Sequence, residues 1–406
     1  MTMRFRTLTL WTLLALTLWT ASCGAPAAPT TETPPPPTAT PAPPSPSFDL
    51  EKLIVDVFDP QRGETVLVMV DLPHGNLNDY GGWSARREMA EEWRQVFEQL
   101  GAEIGFTVHP VLTYPATGAP NAPLPDAGAI DGQEVPFEQI LAETNIVVAL
   151  TEFSATAPLS EFTQRFPNLR VASMPGATRG MEQSALAADY AEVARKVHLL
   201  QEKLDQAVGA RVQFSTGHEM YFDLRHREAH ADDGQLRGGG GARIINLPSG
   251  EAYIAPYEGE LEGDPSKSVG SIPLLLGDEL VVGRVEENRI VEVIGEGPQA
   301  DEAREYLALD QARRNIAELG LGCNDKAVVT GNVLEDEKVM GLHWAYGLSE
   351  HIGGTVGLDD FSDPRYVVHR DWVYPKGGAI EVASLILEYA DGTTEEILRD
   401  GEYTVF

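Results

Sequence analysis

Val66-Leu-Val-Met-Val-Asp71 is an apolar run that ends on an acid, and it sets the fold of the first half of the chain. A short run of this kind predicts a strand buried on both faces. A helical pattern follows from Ser84 to Leu100, then strand patterns from Phe106 to Leu112 and from Ile146 to Leu150. This alternation predicts a parallel sheet with helices on its faces, followed by a long helix from Ser184 to Val208.

The second half is richer in strands. A helix is predicted from Pro298 to Leu319, ending at a glycine C-cap, Gly320. Strands are predicted at Arg211–Ser215, Ala242–Asn246, Leu280–Val285 and Arg289–Ile294, with further strands around the Asp391-Gly392 and Asp400-Gly401 turns. The predicted fold class is α/β: an N-terminal parallel-sheet α/β domain over residues 48–208, followed by a mixed, strand-rich α+β domain over residues 209–406.

The N-terminal segment has the pattern of an export signal. Arg4 and Arg6 precede an apolar run from Leu8 to Trp19, and small residues follow before Cys23. An uncleaved membrane anchor is the alternative, but a span needs about 20 apolar residues and this run is shorter. We therefore expect a signal peptide over residues 1–22. Cys23 resembles the lipidated cysteine of bacterial lipoproteins, so we expect an exported protein, lipid-anchored at the outer face of the bacterial cell membrane.

Residues 23–47 are expected to form the lipidated cysteine and a linker. From Gly24 to Ser47 the chain consists mostly of proline, threonine and alanine, with Glu32 as its one charge. Such a composition cannot bury apolar surface and favours an extended tether. Only Cys323 remains besides Cys23, so no intramolecular disulfide is expected.

The net charge of the chain is −32. A strongly acidic surface repels nucleic-acid phosphates and anionic lipids, so we expect no nucleic-acid partner and contact with the membrane only through the lipid anchor. Adaptation of solubility to a salty or hot habitat is the other explanation of this charge.

Acids and histidines recur in four short segments of the second half. These are Asn246-Leu-Pro-Ser-Gly-Glu251, Ala317-Glu-Leu-Gly-Leu-Gly322, Glu335-Asp-Glu-Lys-Val-Met-Gly-Leu-His343 and His369-Arg-Asp371. Carboxylate and imidazole are ligands shared by zinc, cobalt and manganese, so the segments could build a divalent-metal site. His369 and Asp371 lie two apart on a predicted strand and would share a face.

Glu318 is predicted to lie in the last turn of a helix. An acid there opposes the helix dipole by up to about 1 kcal/mol, a penalty that a bound cation would remove. Taken singly, each of these residues also fits a structural role: Glu251 as a solvated turn acid, and His343 as a hydrogen-bonded core histidine.

In this order the segments resemble the leucyl aminopeptidase family that includes aminopeptidase T, a family of dinuclear metal-dependent exopeptidases. The likeness begins at the opening strand, near Gly63, and runs to the C-terminus. It implies a metal-binding second domain with two divalent metal ions (zinc, cobalt or manganese), peptide substrates and a homodimer. The implied metal ligands are Glu251, Glu318, His343, His369 and Asp371, with Glu337 as a further candidate. Glu318 is also a candidate catalytic residue, and the identity of the bridging carboxylate stays open.

One position departs from the family. Its best-known members carry a tyrosine seven residues after the metal histidine, a place held here by Glu350, with His351 beside it. Either residue could replace the phenol in catalysis, or the position could simply face solvent. Both are candidate catalytic residues.

The sequence therefore predicts a metal-dependent aminopeptidase that removes N-terminal residues from peptides. The alternative is a catalytically inactive solute- or peptide-binding lipoprotein with the same fold. An export signal suits both functions equally. Retention of a full set of costly ionisable ligands favours the enzyme, because a binding protein has no need of them.

Overall fold

The computed structural model describes residues 48–238 and 241–406, and these belong to one compact unit. The expected signal peptide, Cys23 and the linker up to residue 47 lie outside the described residues. No helix within those two ranges is both long and apolar enough to cross a membrane.

The described residues form twenty-one strands and seven α-helices. The α-helices are α1 Leu50–Phe58, α2 Gly81–Ile104, α3 Phe137–Ala142, α4 Thr156–Arg165, α5 Tyr190–Gln206, α6 Pro298–Ala308 and α7 Val333–Asp336. The first strands are β1 Thr65–Leu72, β2 Thr107–Val108, β3 Leu112–Pro115, β4 Ala127–Ile130, β5 Gln133–Pro136, β6 Ile146–Ala149, β7 Arg170–Ser173, β8 Ala207–Phe214, β9 Glu219–Asp223, β10 His230–Asp232 and β11 Arg243–Asn246. The remaining strands are β12 Glu251–Ile254, β13 Val269–Leu276, β14 Glu279–Glu286, β15 Arg289–Ile294, β16 Ile316–Gly322, β17 Gly341–Gly347, β18 His369–Pro375, β19 Val382–Tyr389, β20 Thr394–Arg399 and β21 Glu402–Tyr403. Short 3-10 segments lie at Arg179–Gln183, Ala185–Ala187, Ala312–Arg314, Glu350–Ile352, Leu358–Asp360 and Pro364–Tyr366.

The first sheet has the order β11-β7-β6-β1-β3-β4-β5, with β2 paired to β1. Strands β1, β2, β3, β6, β7 and β11 pair in parallel, whereas β4 and β5 are antiparallel additions at one edge. Strand β1 lies at the centre of this order, between β6 and β3, and Val66 to Val70 are buried, as predicted. Trp93 and Phe97 of α2 pack in the same apolar core as β1. The α/β fold class is confirmed.

Two predicted elements of the first half have different bounds. The strand predicted over Phe106–Leu112 is two short strands, β2 and β3, because Pro110 lies between them and cannot donate to a ladder. The helix predicted over Ser184–Val208 is α5, which begins later, after Asp189. The Asp189 carboxylate accepts hydrogen bonds from the first free N–H groups of this helix and so fixes its start.

The other two sheets are antiparallel. The second sheet has the order β10-β12-β16-β17-β18, and the third has the order β15-β14-β13-β9-β8-β19-β20-β21. Strand β11 follows residue 208 yet pairs with β7, so the chain returns to the first sheet after the predicted domain boundary. The division of the chain at 208/209 stays a prediction.

The helix predicted from Pro298 to Leu319 is wrong in its second half. Helix α6 ends at Ala308, a 3-10 turn follows, and Ile316 to Gly322 form strand β16. Along this strand, leucines at 319 and 321 alternate with glycines at 320 and 322, which is the two-residue period of a strand. Glu318 therefore lies within a strand, not at a helix terminus, and the helix-dipole penalty does not apply to it.

Candidate metal centre

The second sheet brings the acids and imidazoles of distant segments to one face. Across neighbouring strands Glu318 pairs with Ala345, and Ala345 pairs with Asp371. His343 lies opposite Gly320. Because side chains alternate across a strand, His369, Asp371, His343, Glu318 and Glu251 all project from this same face. The opposite face carries buried apolar side chains that join the main core.

The donor atoms form two overlapping triads. Glu251, Glu318 and His343 offer ligand atoms within 4.8 Å of one another, and so do Glu318, His369 and Asp371. Glu318 belongs to both triads. Its Oε1 lies 3.1 Å from Nε2 of His343, and its Oε2 lies 3.2 Å from Nε2 of His369. Each oxygen of this one carboxylate therefore faces a different imidazole, which is the arrangement a bridging ligand needs.

Glycines on the same face leave room for the cluster. A Cβ at Gly320 would lie 1.9 Å from Nε2 of His343, inside the imidazole ring's own space. A Cβ at Gly322 would lie 2.1 Å from the carbonyl oxygen of Val339. Gly320 thus leaves room for the imidazole of His343, and Gly322 leaves room for the backbone of residues 337–339.

Replacing Gly320 with alanine is expected to disrupt the centre. The new methyl group must displace His343, so we expect loss of metal binding and a destabilisation of about 1–3 kcal/mol from overpacking. Metal content and urea unfolding would measure both effects. Gly81→Ala is the matched control, because a Cβ there meets nothing within 4 Å and alanine favours a helix. Equal metal content in the two variants would contradict this account of Gly320.

The turn before Glu251 is held by a close backbone contact. Gly250 has a φ of 134°, and a Cβ there would lie 2.7 Å from Cβ of Asn324. The Asn324 side-chain amide donates to the carbonyl of Ser249 at 3.0 Å. This packing fixes the end of the Asn246–Glu251 segment and places Glu251 at the start of β12, as the sequence predicted for a tight turn between strands.

Burial and the neighbouring charges shift the pKa values of the cluster. Burial by itself lowers the pKa of His343, but the neighbouring carboxylates of Glu251 and Glu318 outweigh it and raise that pKa to about 10. For Glu318, burial opposes ionisation, yet His343 and His369 hold its pKa well below the ordinary value. The neighbouring carboxylates thus favour the protonated form of the imidazoles, which are the candidate metal ligands. A divalent ion would displace these protons, since a ligating imidazole must be neutral.

Lys338 is part of this centre, and the sequence reasoning missed it. Its side chain is fully buried. Its ammonium lies 2.5 Å from Oε1 of Glu251, 2.8 Å from Oε1 of Glu337 and 3.0 Å from Oδ2 of Asp232. A lysine inside the acidic run Glu335-Asp-Glu-Lys338 was the available signal. Lys338 holds one oxygen of Glu251 and leaves the other for the centre.

Two buried carboxylate oxygens show that the residues fit a metal. Oε2 of Glu251 and Oδ1 of Asp371 have no hydrogen-bond partner. His343 Nε2 is 3.1 Å from Oε2 of Glu251, but its single N–H is directed to Glu318. Unpartnered buried carboxylate oxygens are costly, and a cation between the two triads would satisfy both.

The other candidate residues lie outside the triads. Glu337 is bonded to Lys338, and burial raises its pKa to about 8 although the lysine opposes the shift. Glu350 is exposed on a 3-10 turn. His351, next to it, packs edge-on against His369 with ring centroids 4.9 Å apart. The roles assigned to all of these residues from the sequence stay predictions.

Comparisons with known proteins show the fold. Searches with the sequence find no matching protein family and no matching curated protein. In structure, the chain is similar to 2,5-dihydroxypyridine dioxygenase from Pseudomonas putida KT2440, with a TM-score of 0.62 and 15% identity, over 89% of this chain and 99% of that chain. It is also similar to wild-type AmpT from Thermus thermophilus, with a TM-score of 0.52 and 16% identity, over 88% of this chain and 99% of that chain.

These likenesses extend over most of the described chain. They establish that the chain shares the fold of these two proteins at low sequence identity to both. The two triads form a cluster within this fold that could hold a metal ion.

Proposed function

We propose that the protein is a metal-dependent aminopeptidase that uses two divalent ions to hydrolyse the N-terminal peptide bond of peptides. The observation that carries the proposal is the shared position of Glu318 between two triads of possible ligands. Glu251, Glu318 and His343 would hold one ion, and Glu318, His369 and Asp371 would hold the other.

The charge of the centre supports two ions. The carboxylates gathered here are Asp232, Glu251, Glu318, Glu337 and Asp371, and Lys338 is the one ammonium among them. Because its pKa is about 8, Glu337 is protonated at neutral pH, so four ionised acids and one ammonium leave an excess of three negative charges, more than one divalent ion would neutralise. Buried charge of one sign is unfavourable, so neutrality favours a dinuclear site.

The chain's own residues hold and orient the reaction. When bound, zinc, cobalt or manganese ions would polarise a peptide carbonyl and lower the pKa of water. Glu318 keeps the two imidazoles in place through its separate oxygens, and Lys338 fixes Glu251. His351 lies beside the second triad, and burial lowers its pKa to about 4, so its neutral ring is proposed to accept a proton and pass it to the leaving amine.

A second candidate is an iron-dependent oxygenase. Two histidines with a carboxylate are the ligands of non-haem iron(II) sites, and His343, His369 and Glu318 provide that set. The structural likeness to a dioxygenase favours this candidate specifically. Against it stand the further carboxylates, because a single iron(II) would leave the buried centre with negative charge.

Removal of metal from the full-length protein tests the proposal. Treatment with a chelator is expected to abolish hydrolysis of leucine p-nitroanilide and of short peptides, and readdition of zinc, cobalt or manganese should restore it. Metal at 100 times its Kd is expected to stabilise the fold by about 2.7 kcal/mol, which thermal unfolding would show. Hydrolysis that survives complete metal removal, or oxygen consumption with iron(II) and no peptidase activity, would reject the aminopeptidase proposal.

A further inference from the structure

A groove runs along the outer edge of β18 and reaches the second triad. Its volume is about 620 Å³, and it is lined along the whole strand from His369 to Pro375. Val329, Val333, Leu275 and Ile380 also line it. His369 and Asp371 therefore belong both to the candidate metal centre and to this groove.

Strand β18 has a free edge. It pairs with β17 on one side and is the last strand of the second sheet. Within residues 48–238 and 241–406 no other strand pairs with its outer side. An edge strand presents a row of backbone N–H and C=O groups, which an extended peptide can complete by adding a strand.

The walls of the groove are apolar and accessible. Val329 is 51% exposed, Val333 is 53% exposed and Leu275 is 41% exposed. Apolar side chains that cluster beside a polar site in this way mark a binding surface for another molecule.

The position of the second triad sets the direction of such a peptide. His369 and Asp371 lie near one end of β18, whereas Pro375 lies at the other end. An aminopeptidase cleaves the first peptide bond, so the amino terminus would lie at the end that holds the triad and the peptide would run parallel to β18. The seven residues of this strand span about 20 Å, enough for a peptide of about six residues.

We propose that this groove is the substrate channel, and that it binds an extended peptide with apolar side chains as an additional parallel strand on β18. The amino terminus lies at the triad of Glu318, His369 and Asp371, and the apolar side chains of the peptide contact Val329, Val333, Leu275 and Ile380. The inference rests on the proposed aminopeptidase function, for which it names the class of substrate. It gives the enzyme a preference for unstructured apolar peptides over folded chains.

The test uses hexapeptides of alternating leucine and alanine in which a reduced linkage replaces the first peptide bond and prevents hydrolysis. Binding of a peptide labelled at its C-terminus to the full-length protein is followed by fluorescence anisotropy. Two peptides are compared, one N-methylated at the odd backbone positions and one at the even positions, which are the two registers of N-methylation. One of them is expected to bind at least tenfold more weakly and the other to bind unchanged, because only one set of N–H groups faces β18. Val329→Asp is expected to weaken binding about tenfold through loss of an apolar contact.

Val291→Asp is the matched control, since Val291 is 39% exposed on β15 and lies outside the groove. Equal effects of N-methylation in both registers, or full binding by Val329→Asp, would overturn the proposal even if dipeptides are hydrolysed. If N-methylation weakens binding in only one register and no peptide is hydrolysed, the proposed peptide binding in the groove is supported and only the peptidase function is rejected. Self-association that Val329→Asp abolishes, without peptide binding, would overturn the proposal in favour of a second copy of the chain.

Discussion

Replacing Glu318 with glutamine is expected to remove both metal ions while the fold is retained. Glutamine has the size of glutamate, but its neutral amide lacks the charge and one of the two ligating oxygens. Each triad therefore loses a ligand at once. Removing a residue that only hydrogen-bonds to a metal ligand lowers activity by up to about 100-fold. Glu318 is proposed as a ligand itself, so activity should fall by more than this. Metal analysis and peptide hydrolysis on the purified variant would measure the two effects.

Glu335→Gln provides the control for this variant. Glu335 is a buried glutamate whose Oε1 lies 3.2 Å from the backbone nitrogen of Val328, which donates to it, outside both triads. Glutamine can keep that acceptor, so this variant should bind the wild-type amount of metal. If Glu318→Gln also retained two ions and full turnover, the assignment of Glu318 as the shared ligand would be wrong.

Replacing Lys338 with methionine is expected to produce the largest loss of stability. Methionine fills a similar volume but leaves the carboxylates of Asp232, Glu251 and Glu337 without their ammonium partner. Removal of one partner from a buried ion pair typically costs about 3–5 kcal/mol. Urea unfolding of the chelator-treated protein would give the difference in the free energy of unfolding, free of any contribution from bound metal.

Lys203→Met is the comparison that isolates burial. Lys203 also binds a carboxylate, with Nζ 2.7 Å from Oε1 of Glu395, but both side chains of this pair are partly exposed. Its loss should cost about 1 kcal/mol or less. Equal stability of the two variants would show that Lys338 does not balance the buried carboxylates.

Local sequence patterns predicted much of the fold. The apolar run from Val66 to Asp71 forms the central strand, and the His369-Arg-Asp371 segment lies on a strand with both side chains on one face. Both features depend on residues close together in the chain. Residues 316–319 were assigned to the end of a helix, with Gly320 as its C-cap. They form part of β16 because this segment packs between β12 and β17, which are distant from it in sequence.

The candidate site was predicted only in part, for a related reason. Glu251, Glu318, His343, His369 and Asp371 were selected by their resemblance to a family, and the structure brings these residues together. Lys338 was not selected by that resemblance, and a lysine among acids in a sequence is usually solvated. Its role depends on burial against Asp232 and Glu251, which lie opposite each other on the neighbouring strands β10 and β12. Such long-range contacts are invisible to local patterns.

The number of divalent ions bound per chain tests the central claim most directly. Calorimetric titration of the chelator-treated full-length protein with zinc or manganese is the measurement. We expect saturable binding of two ions per chain in the wild-type protein and loss of both sites in Glu318→Gln. Absence of saturable binding, or an unchanged stoichiometry in the variant, would contradict a dinuclear centre built around Glu318.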